Sequence, residues 1–163
     1  MKQIKVEKIS REAFSGFGEY YEMASPDGYA LAGEIHKFYP DRMTTATEGR
    51  LAFSPLVVCK PERMIITQQE YHVTAEEMIL PLDDDMILHV APASGGKVVT
   101  DHARAFLVPK NTLVKLKAAI WHLAPLPARG EKLTAVIILP ECTYAKDCPV
   151  VDLLPEEQFE IIL

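Results

Sequence analysis

The chain has no long apolar run. Its most apolar stretches, Leu51 to Cys59 and Val136 to Pro140, are far too short to span a bilayer and read instead as buried strands. It shows no apolar leader either. Met1 to Phe14 alternates charges with single apolar residues and lacks the h-region of a secretory signal. Positive charge is scarce: 17 Lys+Arg stand against 23 Asp+Glu, for a net charge of -6, and there is no long Lys/Arg run. Phosphate contacts need a basic surface, so this balance argues against a nucleic-acid partner. Cys59, Cys142 and Cys148 are an odd count without a CxxC pair. They fit reduced thiols better than a disulfide framework, and a cytoplasmic location is the default expectation. Gly95-Gly96-Lys97 lacks the spacing of a P-loop and the Ser/Thr that should follow. No Ser/His/Asp or Cys/His arrangement can be argued.

What is present is a globular composition: 48% apolar and 25% charged residues over 163 positions. Neither a repeat nor a linker divides the chain, so residues 1–163 are read as one domain. Helix signals are few and short. Ser10 is placed to cap a turn through Phe14, ended by Gly16 and Gly18, and Pro155, followed by Glu156 and Glu157, is a plausible helix start. The residues after it, Phe159 to Leu163, could equally be a strand. Elsewhere short apolar stretches alternate with turn residues. Ser25-Pro26-Asp27-Gly28, Leu82 to Asp85 and Ser94-Gly95-Gly96 are turns, the last between Met86–Ala91 and Ala103–Val108. Strands at this spacing predict an all-β sandwich or barrel.

The stretch from Arg63 to Pro81 carries the most chemistry. Alternation puts Met64, Ile66, Gln68, Glu70 and His72 on one strand face, which starts apolar and ends in Gln, Glu and His. A face of that kind suits a pocket at a barrel mouth. Glu77 follows His72 in a plausible return strand. Imidazole and carboxylate together suit borderline divalent metals. By itself, Glu70-Tyr71-His72 reads as a strand edge facing water. Trp121-His122 shifts the weighting. It is either an aromatic core anchor with a hydrogen-bonded His, or a fourth ligand arriving from a distant strand. Other polar residues read as structural. His89 is taken as a satisfied or partly exposed His, His36 and His102 as surface residues, and Cys59 as a small buried residue. Arg104 is read as pairing with a carboxylate at the sheet surface rather than with a substrate.

The ordered set of Glu70, His72, Glu77 and His122 resembles the cupin pattern, with Glu70 standing where cupins carry their first His. The resemblance narrows to the ureidoglycolate lyase family. It is carried by IKVEKISREAFSGFGEYYE at the start, then EYHVTAEEMILPL, then ILHVAP with HARAFLVP, then KLKAAIWHLAPL, and finally KLTAVIILPECTYAKDC. Three departures are visible. Glu77 replaces the family's Gln, Leu123 replaces a second His after the Trp-His pair, and Val114 to Ala118 replaces a polar stretch.

The resemblance implies a cupin-type β-barrel (jelly roll) with a few short helices. It implies a divalent metal held by Glu70, His72, Glu77 and His122, with Zn, Ni, Mn and Fe not distinguished. It implies elimination of urea from ureidoglycolate to give glyoxylate, a step of purine catabolism. Glu77, or its neighbour Glu76, is the carboxylate expected to move the proton, and whether Glu77 acts as ligand or base is open. A homodimer working on a small polar hydroxy acid or sugar-like substrate is the matching expectation, with no nucleic-acid or membrane partner. Two alternatives stand beside it: a metallo-cupin of sugar or keto-acid isomerase type, and a non-enzymatic small-molecule-binding barrel.

Overall fold

A computed structural model describes residues 1–163. Sixteen strands follow one another: β1 (Lys2–Lys8), β2 (Gly18–Glu22), β3 (Leu31–Ala32), β4 (Lys37–Phe38), β5 (Leu51–Cys59), β6 (Ile65–Ile66), β7 (Gln68–Glu70), β8 (Glu77–Pro81), β9 (Met86–Ala91), β10 (Arg104–Val108), β11 (Thr112–Leu116), β12 (Trp121–His122), β13 (Leu126–Pro127), β14 (Lys132–Pro140), β15 (Val150–Asp152) and β16 (Phe159–Ile162). Two four-residue helices, α1 (Arg11–Phe14) and α2 (Thr143–Lys146), interrupt them. The fold is an all-β barrel. No helix is long and apolar enough to cross a membrane.

Two sheets build it. The five-stranded sheet runs β2-β11-β8-β14-β5, and the nine-stranded one runs β15-β7-β12-β9-β10-β1-β16-β6, with β13 also paired to β9. Only Thr67 separates β6 from β7, yet they lie near opposite ends of that order. The larger sheet must therefore roll back towards itself. It encloses a second core of its own, with Ile4, Ile66, Trp121, Phe159 and Ile161 inside. The main core lies between the two sheets. Leu133, Ala135, Ile137 and Leu139 of β14 enter it at every second position, facing Leu88, Val90 and Phe106. Strand β9 feeds both cores: Met86, Leu88 and Val90 go to one, Ile87 and Ala91 to the other. All six of its residues are therefore buried.

Several local expectations change. The single face predicted for Met64 to His72 is broken at Thr67, because β6 pairs with β16 whereas β7 pairs with β12 and β15. Ile66 thus joins the second core while Glu70 turns to the barrel mouth. Ser94 to Gly96 is not a tight hairpin. The β9–β10 connection is longer and contains a 3₁₀ turn at Thr100–His102. Pro155 starts a turn that ends in strand β16, not a helix. The stretch from Leu51 to Cys59 is a half-open edge strand, with Phe53, Val57 and Cys59 exposed on its outer side. The cap is as expected: Ser10 Oγ accepts from the Ala13 N–H at 3.2 Å.

Candidate metal centre

Each of the four residues reaches the barrel mouth for a local reason. Glu77 opens β8 and shares its inward face with Ile79. His122 pairs directly across from Glu70 between β12 and β7, and the neighbouring Trp121 points the other way, into the second core. His72 follows the end of β7, and its carbonyl accepts from the Ala119 N–H at 2.6 Å, which ties it to the turn before β12. Ligand-capable atoms of Glu70, His72, Glu77 and His122 all lie within 4.8 Å of one another.

The proton arrangement in this cluster carries information. His72 Nδ1 contacts the Asp147 carbonyl at 2.6 Å, and His122 Nδ1 contacts the Ile120 carbonyl at 2.8 Å. A carbonyl only accepts, so both Nδ1 atoms carry the hydrogen. In a neutral imidazole Nε2 is then a bare lone pair. Yet both Nε2 atoms point at the same oxygen, Glu77 Oε2, at 2.9 and 2.8 Å. Two lone pairs facing a carboxylate oxygen repel one another. The cluster is therefore complete only with positive charge at its centre, as a second proton on each ring or as a bound cation.

The ionisation equilibria agree. Burial pushes the Glu77 carboxyl up, but the charge and hydrogen bond of His122, with those of His72, more than reverse this and hold it at about 2. Burial pushes both imidazoles down, and Glu77 raises each of them above the ordinary histidine value. Donor type, convergence and fixed tautomers all fit a divalent ion. Backbone carbonyls orient the two rings as the outer partners of metal-bound histidines do.

A cavity of about 370 Å³ opens at this cluster. Glu70, Glu77, Ser54 and Tyr144 give it polar atoms, and Leu56, Leu123 and Ile137 give it apolar walls. No Lys or Arg lines it. Tyr144 stands with its ring nearly perpendicular to that of His72, centroids 6.3 Å apart. Burial, and then the Glu77 and Glu70 charges, raise its pKa, so its phenol stays a donor. The Cys148 thiol donates to Glu70 Oε2 at 3.3 Å and is pushed up to about 12, by burial first and then by Glu70.

Sequence reasoning missed Tyr144, Asp147 and Cys148. Their contacts span some seventy-five positions, and no spacing rule links them to His72. Glu76 is turned away, bonded by Thr45 and paired with Lys115. His89 is not exposed at all. It is fully buried in the second core, where Gln69 contacts its Nδ1 at 2.9 Å and its Nε2 has no partner. Burial drives its pKa down to about 3, so it is neutral. Cys59 is exposed rather than buried, because it sits on the outer side of an edge strand. Arg104 forms a two-pronged pair with Glu7, at 2.7 Å through Nε, as expected of a sheet-surface residue.

Residues 55–157 match the model of the family described as a domain of unknown function, DUF4867. Ureidoglycolate lyase of Azotobacter vinelandii is 26% identical over 126 residues, covering 75% of this chain and 76% of that protein. The ureidoglycolate lyase of Burkholderia mallei is 27% identical over 143 residues, covering 85% and 82%. Among solved structures, a dTDP sugar isomerase from Desulfovibrio desulfuricans matches with a TM-score of 0.48 at 10% identity, over 86% of this chain and 85% of that one.

Proposed function

The chain belongs to the DUF4867 family, and we propose that it is a metal-dependent cupin enzyme of the lyase type, acting on a small hydroxylated substrate. One observation carries this reading: two histidines with fixed Nδ1–H tautomers aim both Nε2 atoms at one buried carboxylate oxygen. His72, His122 and Glu77 would hold the ion, with Glu70 beside them at the open side of the cluster. A divalent ion there would lower the pKa of a substrate hydroxyl and polarise an adjacent oxygen.

The remaining work belongs to the chain's own groups. Glu77 is almost enclosed and bonded by both imidazoles, which suits it to holding rather than to moving protons. The Glu70 side chain is 17% exposed against 6% for Glu77, so proton transfer is assigned to Glu70. The Tyr144 phenol donates to a substrate oxygen, while Leu56, Leu123 and Ile137 exclude water. Applied to ureidoglycolate, the substrate of the relatives' named activity, the bookkeeping closes. The hydroxyl gives its proton to Glu70 and its oxygen becomes a carbonyl. The C–N bond breaks with its electron pair going to nitrogen, which takes the proton back. The products are glyoxylate and urea.

A second reading is favoured by the cavity lining. Two carboxylates and no Lys or Arg leave a substrate carboxylate without a cationic side chain to meet it. That lining suits an uncharged, hydroxyl-rich substrate, on which the same centre would act as a sugar isomerase. A homodimer is part of the proposal, supported by the open β5 edge with Phe53 68% and Val57 59% exposed. The experiment is a substrate panel on protein loaded in turn with Zn, Ni, Mn and Fe, scored for urea and glyoxylate release and for aldose–ketose conversion. Metal-dependent release of urea supports the lyase reading, and conversion of a neutral sugar supports the isomerase. Turnover unchanged after the metal is stripped refutes both.

A further inference from the structure

The segment from Cys142 to Cys148 reaches the centre at three points: Tyr144 beside His72, the Asp147 carbonyl on His72 Nδ1, and the Cys148 thiol on Glu70. Asp147 is the fixed point of that segment. Its N–H donates to the Thr143 carbonyl at 2.7 Å, closing α2. Its Oδ1 accepts from the Val73 N–H at 2.6 Å, and its Oδ2 accepts from the Thr74 N–H at 2.9 Å and the Thr74 hydroxyl at 2.8 Å. Every polar atom of Asp147 is thus engaged, and all but one bond go to His72 and the two residues after it.

We propose that Asp147 is a positioning residue of the metal centre, holding His72 in the tautomer and orientation that present Nε2 to the shared point. The inference rests on the metal reading above. The reason is geometric. The carbonyl selects the Nδ1–H form, but only while it stays opposite the ring. The carboxylate keeps it there by clamping the turn that begins at Val73, so ring and carbonyl are held by the same residue from two sides. The adjacent Cys148 carries the constraint on to Glu70. Without the clamp, ring and segment are free to separate, and the site loses its pre-set geometry while all four candidate ligands remain.

Asp84 supplies a matched control. It uses the same device on another turn, accepting from the N–H groups of Asp85, Arg129 and Gly130, and it bonds to none of the four ligand candidates. The experiment measures Zn(II) and Co(II) affinity by chelator competition in wild type, Asp147→Asn, Asp84→Asn and Thr74→Val, with the Co(II) absorption spectrum of each. Asp147→Asn is expected to bind on the order of 10- to 100-fold more weakly and to show an altered spectrum. Asp84→Asn melts lower but keeps wild-type affinity, which separates positioning from general loss of stability. Thr74→Val keeps the backbone donors and gives a smaller loss in the same direction. Should Asp147→Asn not fold, Thr74→Val decides alone. Wild-type affinity and spectrum in Asp147→Asn, or in Thr74→Val where it decides, overturn the inference. A wild type that binds neither metal overturns the metal reading first and the inference with it.

Discussion

At the residue scale, the two carboxylates of the centre divide the work by environment. Glu77 is enclosed and bonded by both imidazoles, whereas Glu70 is half-open to the cavity and bonded by a thiol. Glu77→Gln is therefore expected to lose metal and activity together. Glu70→Gln should keep most of the metal and lose turnover by roughly 10²- to 10⁴-fold, the usual contribution of a positioned proton carrier. Metal content and kcat measured on the same samples check the division, and equal metal loss in both variants contradicts it. His89 is the contrasting histidine. It is fully buried, neutral and turned into the second core, with Nε2 unpaired. His89→Ala should leave metal content unchanged and lower the melting temperature, since it opens a void and removes the partner of Gln69. Loss of metal in that variant would mean the two faces of β9 are assigned wrongly.

At the scale of elements, short apolar stretches between turn residues made β9, β10 and β14 legible, because each packs at least one face against a core. The break at Thr67 was not legible. It follows from which strands β6 and β7 pair with, and pairing across a rolled sheet leaves no mark in a local window. The α2 segment was hidden for the same reason, since its value lies in contacts with residues far back in the chain. The four candidate residues were named through their resemblance to an ordered family pattern, and their ligand-capable atoms lie within 4.8 Å of one another. The β8–β9 turn yields a pH prediction. Burial pushes the Asp84 carboxyl up, but the three N–H groups it accepts from together more than reverse this and hold it below the ordinary 3.8. A depressed folded pKa adds stability that is fully present above the unfolded value and is lost as pH falls through the folded one. The melting-temperature gap between wild type and Asp84→Asn should hold near neutral pH and close as the pH drops below 3.8. A gap that persists unchanged into that acid range would rule out the linkage.

At the scale of the molecule, a rolled nine-stranded sheet carries Glu70 and His122 and supports His72, and a five-stranded sheet carries Glu77. The centre thus forms only when the two sheets close over the main core. Binding of a metal to this closed form and not to the unfolded chain should raise the melting temperature as metal is added. The open β5 edge leads to the expectation of a dimer mass in light scattering, and a monomer at all concentrations would remove that part of the proposal. The most direct test of the central claim is metal stoichiometry by elemental analysis, after reconstitution and dialysis, for wild type and for His72→Ala and His122→Ala. The account predicts one equivalent per wild-type chain and strong loss in both variants, each still folded by circular dichroism. A folded wild type that retains no metal, or retains the same amount as either variant, would contradict it.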